Sequence, residues 1–227
     1  MGQEEKIVGV TSFCPNPDVS RIRSVGGTKT PNIKKIVELA PDLIIANIEE
    51  NPKNRIEELM KLVSVYLTYP RKLADNYTLI SNLITLLDLE LSEKRSDLLD
   101  KSKLLLQPYG VPFNLRTFCP IWADPYMSIN HDTYINSVLE YFGLVNSTSN
   151  YRQRYPEIDL LSLPTIDLVL LPSEPFKFTQ KQEKHLRSFP NLSDSIYIYV
   201  DGRYLSWYGT LAITAIEKLD VQLRECI

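Results

Sequence analysis

The chain has 227 residues, with 25 Lys and Arg against 28 Asp and Glu, a formal net charge of −3. These charges are scattered, with no basic block longer than one or two residues, which excludes nucleic acid as a main partner. Cys14, Cys119 and Cys226 are widely separated, so neither a disulfide framework nor a CxxC metal or redox site can be written, and reduced thiols are expected. No apolar run approaches the roughly 18 residues of a membrane-crossing helix. The polar, acidic opening Met-Gly-Gln-Glu-Glu-Lys lacks the pattern of an export signal, so the expectation for the chain as written is a soluble, cytoplasmic protein.

In chain order, short β-branched or aliphatic runs alternate with helical patterns, which predicts an α/β fold with mainly parallel sheets flanked by helices. The runs are 7–10, 43–46 and 63–67, with helices over 32–39 and 52–62, the second opened by Pro52 after Asn51. Residues 73–106 contain no glycine or proline and carry leucine and charge at helical spacing, which reads as one helix followed by a longer one. Later runs at 113–118, 168–171 and 196–200 are interleaved with helices near 132–142, 179–189 and 210–224. Two lobes follow: an N-terminal lobe over 1–90, a stiff connecting helix over 91–107 and a C-terminal lobe over 108–227.

An internal repeat supports the two-lobe reading. Asp42-Leu-Ile-Ile-Ala46 returns 125 residues later as Asp167-Leu-Val-Leu-Leu171, and the same offset superposes Glu49 on Glu174. In parallel sheets ligands bind outside the carboxyl ends of strands, which puts both acids on functional loops.

Four further strand ends carry chemistry. Thr11-Ser-Phe-Cys-Pro-Asn-Pro17 combines the aromatic Phe13 and the thiol of Cys14, both of which read equally as core residues. Tyr69-Pro-Arg71 sets a guanidinium beside a ring, suited to a carboxylate or phosphate, or forms a plain surface turn. Cys119-Pro-Ile-Trp-Ala-Asp-Pro-Tyr126 and Leu205-Ser-Trp-Tyr-Gly209 supply Trp122, Asp124, Tyr126, Trp207 and Tyr208. Both tryptophans of the chain thus fall on loops where stacking against a large flat ligand is more useful than core filling. A metal site from Cys14, Cys119, Asp124 and His131 can be drawn but has no short ligand spacing. The few glycines make no GxGxxG, Walker or GxSxG loop, and neither His131 nor His185 opens an HExxH helix, so the standard hydrolase, kinase and dehydrogenase signatures are absent. Three Asn-x-Ser/Thr sequons stand at Asn76, Asn146 and Asn191.

Several motifs together resemble one family. Val-Gly-Val-Thr-Ser-Phe-Cys (8–14), Val-Gly-Gly-Thr-Lys (25–29), Pro-Asp-Leu-Ile-Ile-Ala-Asn (41–47) and Thr-Tyr-Pro-Arg (68–71) are similar to the first lobe of helical-backbone metal receptors. These are the class III binding proteins that deliver cobalamin or ferric siderophores to ABC importers. Ile-Trp-Ala-Asp-Pro-Tyr-Met (121–127), Asp-Thr-Tyr (132–134), Leu-Leu-Pro-Ser-Glu-Pro-Phe (170–176) and Ser-Trp-Tyr-Gly (206–209) resemble the second lobe of the cobalamin-receptor-like branch.

The resemblance implies two lobes joined by a backbone helix, with a cobalamin-like, haem or ferric-siderophore ligand in the cleft between them. Phe13, Cys14, Tyr69, Arg71, Trp122, Asp124, Tyr126 and Trp207 would contact it, without intrinsic cofactor or resident metal. It also implies a membrane ABC permease as partner, met by one acid per lobe, Glu49 or Glu50 and Glu174, and an extracytoplasmic location. Members of the family open with a further strand and helix, whereas Met1-Gly2-Gln3 falls where that helix would end. The alternatives are a truncated or cytoplasmic relative acting as an interaction or metal-binding protein and, ranked after it, a metal-dependent enzyme using Cys14, Cys119, Asp124 and His131.

Overall fold

A computed structural model describes residues 2–14, 22–107 and 109–227. The strand ladders among the described residues are all parallel. The chain divides into two compact units, Met1–Tyr69 and Pro70–Ile227. The boundaries expected at 90 and 107 both fall inside the second unit.

The first unit contains β1 (Gly9–Val10) paired with β2 (Arg23–Ser24), then α1 (Ile33–Glu38), β3 (Leu43–Asn47), α2 (Lys53–Leu59) and β4 (Ser64–Thr68), which pairs along its whole length with β3. Asn32 caps α1 by accepting the Lys35 N–H, and Pro52 stands at the start of α2, where its missing N–H costs nothing. The core gathers Val25, Ile36, Ala46, Ile56 and Leu59, with Ile44 and Val65 against it. Because strand side chains alternate, Ile45 points the other way and is 52% exposed.

The second unit opens with two helices, α3 (Asp75–Leu86) and α4 (Glu93–Leu104), each of 12 residues. The helix followed by a longer one expected over 73–106 is therefore a pair of equal helices, the second of which lies within 91–107. The break follows Leu86, where Asp88 takes a positive φ of 48° and ends the first helix without a glycine. Both helices pack against α8 (Thr210–Cys226). Residues Ala212, Ile213, Ala215, Ile216, Leu219 and Leu223 form the buried stripe of α8, spaced three and four apart as an amphipathic helix requires.

A four-stranded sheet of order β6-β5-β7-β8 lies at the centre of this unit, built from β5 (Arg116–Phe118), β6 (Val145–Asn146), β7 (Leu168–Pro172) and β8 (Ile196–Val200). All five residues of β7 are buried, as befits an inner strand of a parallel sheet covered on both faces. Val169 and Leu171 meet Phe118, Phe178, Leu186 and Leu192 on one face, with Leu186 supplied by α6 (Gln180–Leu186). Leu168 and Leu170 are buried on the other. Each such side chain contributes about 1.5–3 kcal/mol on burial.

The remaining elements are α5 (Tyr134–Tyr141) and the short α7 (Gly202–Ser206). A buried polar net ties the loops around α5. Asn146 donates to Ile129 O and Asn136 Oδ1 and accepts from the Thr148 N–H and hydroxyl. Asn76 donates to Leu73 O and the Tyr134 hydroxyl. The sequons at Asn76 and Asn146 are thus interior structural amides, closed to glycosylation in the folded chain.

Candidate functional site

Strands β5, β7 and β8 are neighbours in one parallel sheet, so the segments leaving their carboxyl ends, 119–133, 173–179 and 201–209, emerge along one edge. These segments carry most of the residues singled out in the second half of the sequence. Trp122 is held by a tight reversal in which Ile121 N–H donates to Met127 O and Met127 N–H donates to Trp122 O. Its ring, 43% exposed, meets Phe176 edge-on at 5.4 Å, and Phe176 meets Phe178 at 4.9 Å. Such edge-to-face pairs fix ring planes beyond what area burial does. An aromatic row thus runs from the core outward and ends in an open indole face.

Asp124 sits exposed in the same reversal, at a positive φ of 64°. Tyr126 turns the other way. Its ring stacks on His185 of α6 at 5.8 Å, and burial, helped by the Asp124 charge, pushes the phenol up to about 12.

Trp207 and Glu174 meet directly. The indole Nε1–H donates to Glu174 Oε1 at 2.5 Å, a charge-assisted bond of the stronger kind. Around this bond the backbone is closely fitted. A Cβ at Gly202 would stand 2.5 Å from Glu174 Cγ and 2.6 Å from its carbonyl oxygen, so only glycine lets α7 approach the turn after β7. The Gly202 N–H donates to Ser173 Oγ, and Asp201 caps α7 by accepting the Arg203 N–H. Beyond Trp207, Gly209 at a positive φ of 77° gives its N–H to Asn76 Oδ1 at 2.6 Å. Tyr208 packs edge-on against Tyr134 at 6.2 Å.

Arg71 has an internal partner. Its guanidinium donates to Asp132 Oδ1, while Arg154 Nε donates to the Asp132 carbonyl at 2.7 Å and stands 3.8 Å from Oδ2. The Arg71 hydrogen bond holds the Asp132 carboxyl below the usual carboxylate range, against the opposing effect of desolvation. Sequence reading singled out Arg71 but missed Asp132 as its partner, 61 residues away. Its membership of the Asp132-Thr133-Tyr134 motif was the available signal.

In the first unit, Phe13 is 67% exposed and Cys14 is a partly exposed free thiol. Pro15, Asn16 and Pro17 of their loop lie outside the described residues. Tyr69 is exposed just past β4. The Asn47 side chain, at the end of β3, accepts the N–H groups of Glu49 and Glu50, and Lys29 donates to Glu49 O and pairs with Glu50 at 3.7 Å.

The four residues drawn as a metal set have other surroundings. Cys119 is wholly buried, which pushes its thiol up to about 12, and the His131 ring bonds Ser149 O through Nδ1. Among the described residues no group of three His, Cys, Asp or Glu is placed to hold a metal ion.

The chain has the fold of class III substrate-binding proteins, the helical-backbone receptor type. The vitamin B12-binding protein of Vibrio cholerae is 26% identical over 165 residues, covering 70% of this chain and 59% of that relative's length. The crystal structure of the periplasmic vitamin B12 binding protein BtuF of Vibrio cholerae matches with a TM-score of 0.75 at 18% identity, covering 96% of this chain and 88% of that one. The periplasmic heme-binding protein BhuT, solved with two hemes, matches at 0.74 and 18% identity, over 96% and 88% of the two chains. The periplasmic heme-binding protein HutB of Vibrio cholerae matches at 0.74 and 15% identity, over 98% and 92%. These relatives are binding proteins, not enzymes. No family model matches the sequence.

Proposed function

We propose that this chain is the substrate-binding protein of an ABC importer, taking a cobalamin-like, haem or ferric-siderophore ligand. The observation that carries this reading is the aromatic row Phe178, Phe176 and Trp122, ending in an exposed indole on the carboxyl edge of the parallel sheet. A large flat macrocycle or chelate is the ligand class such a surface suits, because stacking rewards area without demanding many matched hydrogen bonds. The likeness in fold to B12- and heme-binding proteins supports the same class.

In this reading Trp122 and Trp207 are the principal ligand contacts, with Asp124 at the tip of the neighbouring turn. Tyr126 acts from behind, bracing that turn against His185. Arg71 serves through its pairing with Asp132, as part of a charged surface that can exchange partners with an acidic ligand. Phe13, Cys14 and Tyr69 are further proposed contacts. Glu49 or Glu50, and Glu174, are the proposed acids for docking on a membrane permease, which assigns the protein to an extracytoplasmic location.

Titration of the purified chain with cyanocobalamin, haemin and ferric siderophores tests the proposal. Saturable tryptophan quenching by one class supports it and names the ligand. Absence of quenching by every class in a folded sample refutes it.

A further inference from the structure

We propose that Glu174 is a positioning residue for ligand binding: its carboxylate sets the plane of the Trp207 indole, so that ligand contact and the orientation of this acid form one coupled unit. The inference rests on the functional reading above, in which Trp207 touches ligand, and adds to it a part for Glu174 on the ligand side.

The geometry gives Trp207 two distinct surfaces. Its N–H edge is committed to Glu174 Oε1 at 2.5 Å, while the half-buried ring retains accessible surface. A tryptophan side chain on an irregular segment has two soft torsions, and a strong hydrogen bond at its far edge removes the freedom of both. Stacking on a pre-oriented ring avoids the ordering cost that a mobile side chain would incur on binding.

The frame that holds the pair is stiff on every side the chain provides. Glu174 is fixed by the close approach of Gly202 and the Ser173 hydroxyl that accepts the Gly202 N–H. Trp207 closes α7 with its backbone N–H on Arg203 O, and the Gly209 N–H is held by buried Asn76. Neither end can shift without breaking a bond, so the carboxylate and the indole are positioned by the fold and not by chance contact of two loose side chains. Coupling of this kind is reciprocal: whatever moves the indole moves the acid, and the converse.

Calorimetric titration with haemin, with cyanocobalamin and with a ferric siderophore tests this on four variants. Trp207→Phe keeps a stacking ring but removes the N–H, and Glu174→Ala removes the acceptor. Each is expected to weaken the probe that binds wild type by about three- to tenfold, the span of the net contribution of one ordinary hydrogen bond. The double variant is expected to be no weaker than either single one, and Glu174→Gln, which keeps an acceptor oxygen, is expected to restore most of the affinity. Thermal melting of each variant separates positioning from simple loss of fold.

Unchanged affinity in Glu174→Ala, alongside weakened binding in Trp207→Phe, overturns this inference while leaving the functional reading intact. Additive losses in the double variant overturn it as well. Binding of none of the three probes by wild type overturns the functional reading and this inference with it.

Discussion

The two copies of the Asp-Leu-(Ile/Val)-(Ile/Leu) repeat form the same element in different surroundings. Each becomes a five-residue strand paired in parallel with the next strand, Leu43–Asn47 with Ser64–Thr68 and Leu168–Pro172 with Ile196–Val200. Ile45 and Leu170 occupy equivalent positions 125 residues apart, yet Ile45 is 52% exposed and Leu170 is 1% exposed. The first strand belongs to a two-stranded ladder with its core on one face, the second to a four-stranded sheet covered on both. Local pattern therefore determines the strand, and the number of neighbours determines what the strand is worth.

The acids two residues past each strand differ in the same manner. The turn at Glu49 is organised through its backbone, by the Asn47 side chain and Lys29. At Glu174 the side chain itself is held, by Trp207. Equivalent positions thus offer a carboxylate on a braced loop in one unit and a carboxylate locked to an aromatic ring in the other.

The sharpest way to break this comparison is truncation at the paired positions. Leu170→Ala should cost about 3 kcal/mol, from lost burial plus the cavity left behind, whereas Ile45→Ala should cost less than about 1 kcal/mol. Denaturant unfolding of both variants checks the difference, and equal costs would contradict it. Next in size are the buried asparagines that brace loops in each unit. Asn146→Ala strands two interior partners and should cost about 3 kcal/mol, while Asn47→Ala, whose turn borders solvent, should cost about 2 kcal/mol.

The smallest effects lie at the charged surface. Glu50→Ala removes an exposed pair with Lys29 and should shift stability by less than about 0.5 kcal/mol. Asp132 has a depressed pKa in the folded chain, so its contribution is present above the ordinary carboxylate value and fades as pH falls through the folded one. Arg71→Ala should therefore flatten the acid limb of a plot of melting temperature against pH, with no change near neutrality beyond the loss of the pair itself.

Much of this fold was legible in the sequence because its strands are apolar runs with clear boundaries. The runs at 43–46, 63–67, 168–171 and 196–200 became β3, β4, β7 and β8 with shifts of a residue or so. Two-residue strands such as Arg23–Ser24 and Val145–Asn146 carry no periodic signal and were missed. That residues 73–106 form two helices was legible, but not where the first ends, because the break is made by Asp88 in a left-handed conformation, without glycine or proline. At the candidate site, aromatic residue types on strand-end loops could be picked out, but their partners could not. Trp207 with Glu174 and Arg71 with Asp132 are separated by 33 and 61 residues, and only the three-dimensional path of the chain brings them together.

The central claim is that the two tryptophans present a stacking surface to a flat metal-chelate ligand, and fluorescence titration of wild type beside the Trp122→Ala and Trp207→Ala double variant tests it most directly. The account predicts saturable quenching of wild type by haemin, cyanocobalamin or a ferric siderophore. It also predicts affinity, followed in the double variant by calorimetry, at least about tenfold weaker. Equal affinity in the two proteins, or no saturable binding of any of the three by folded wild type, would contradict it.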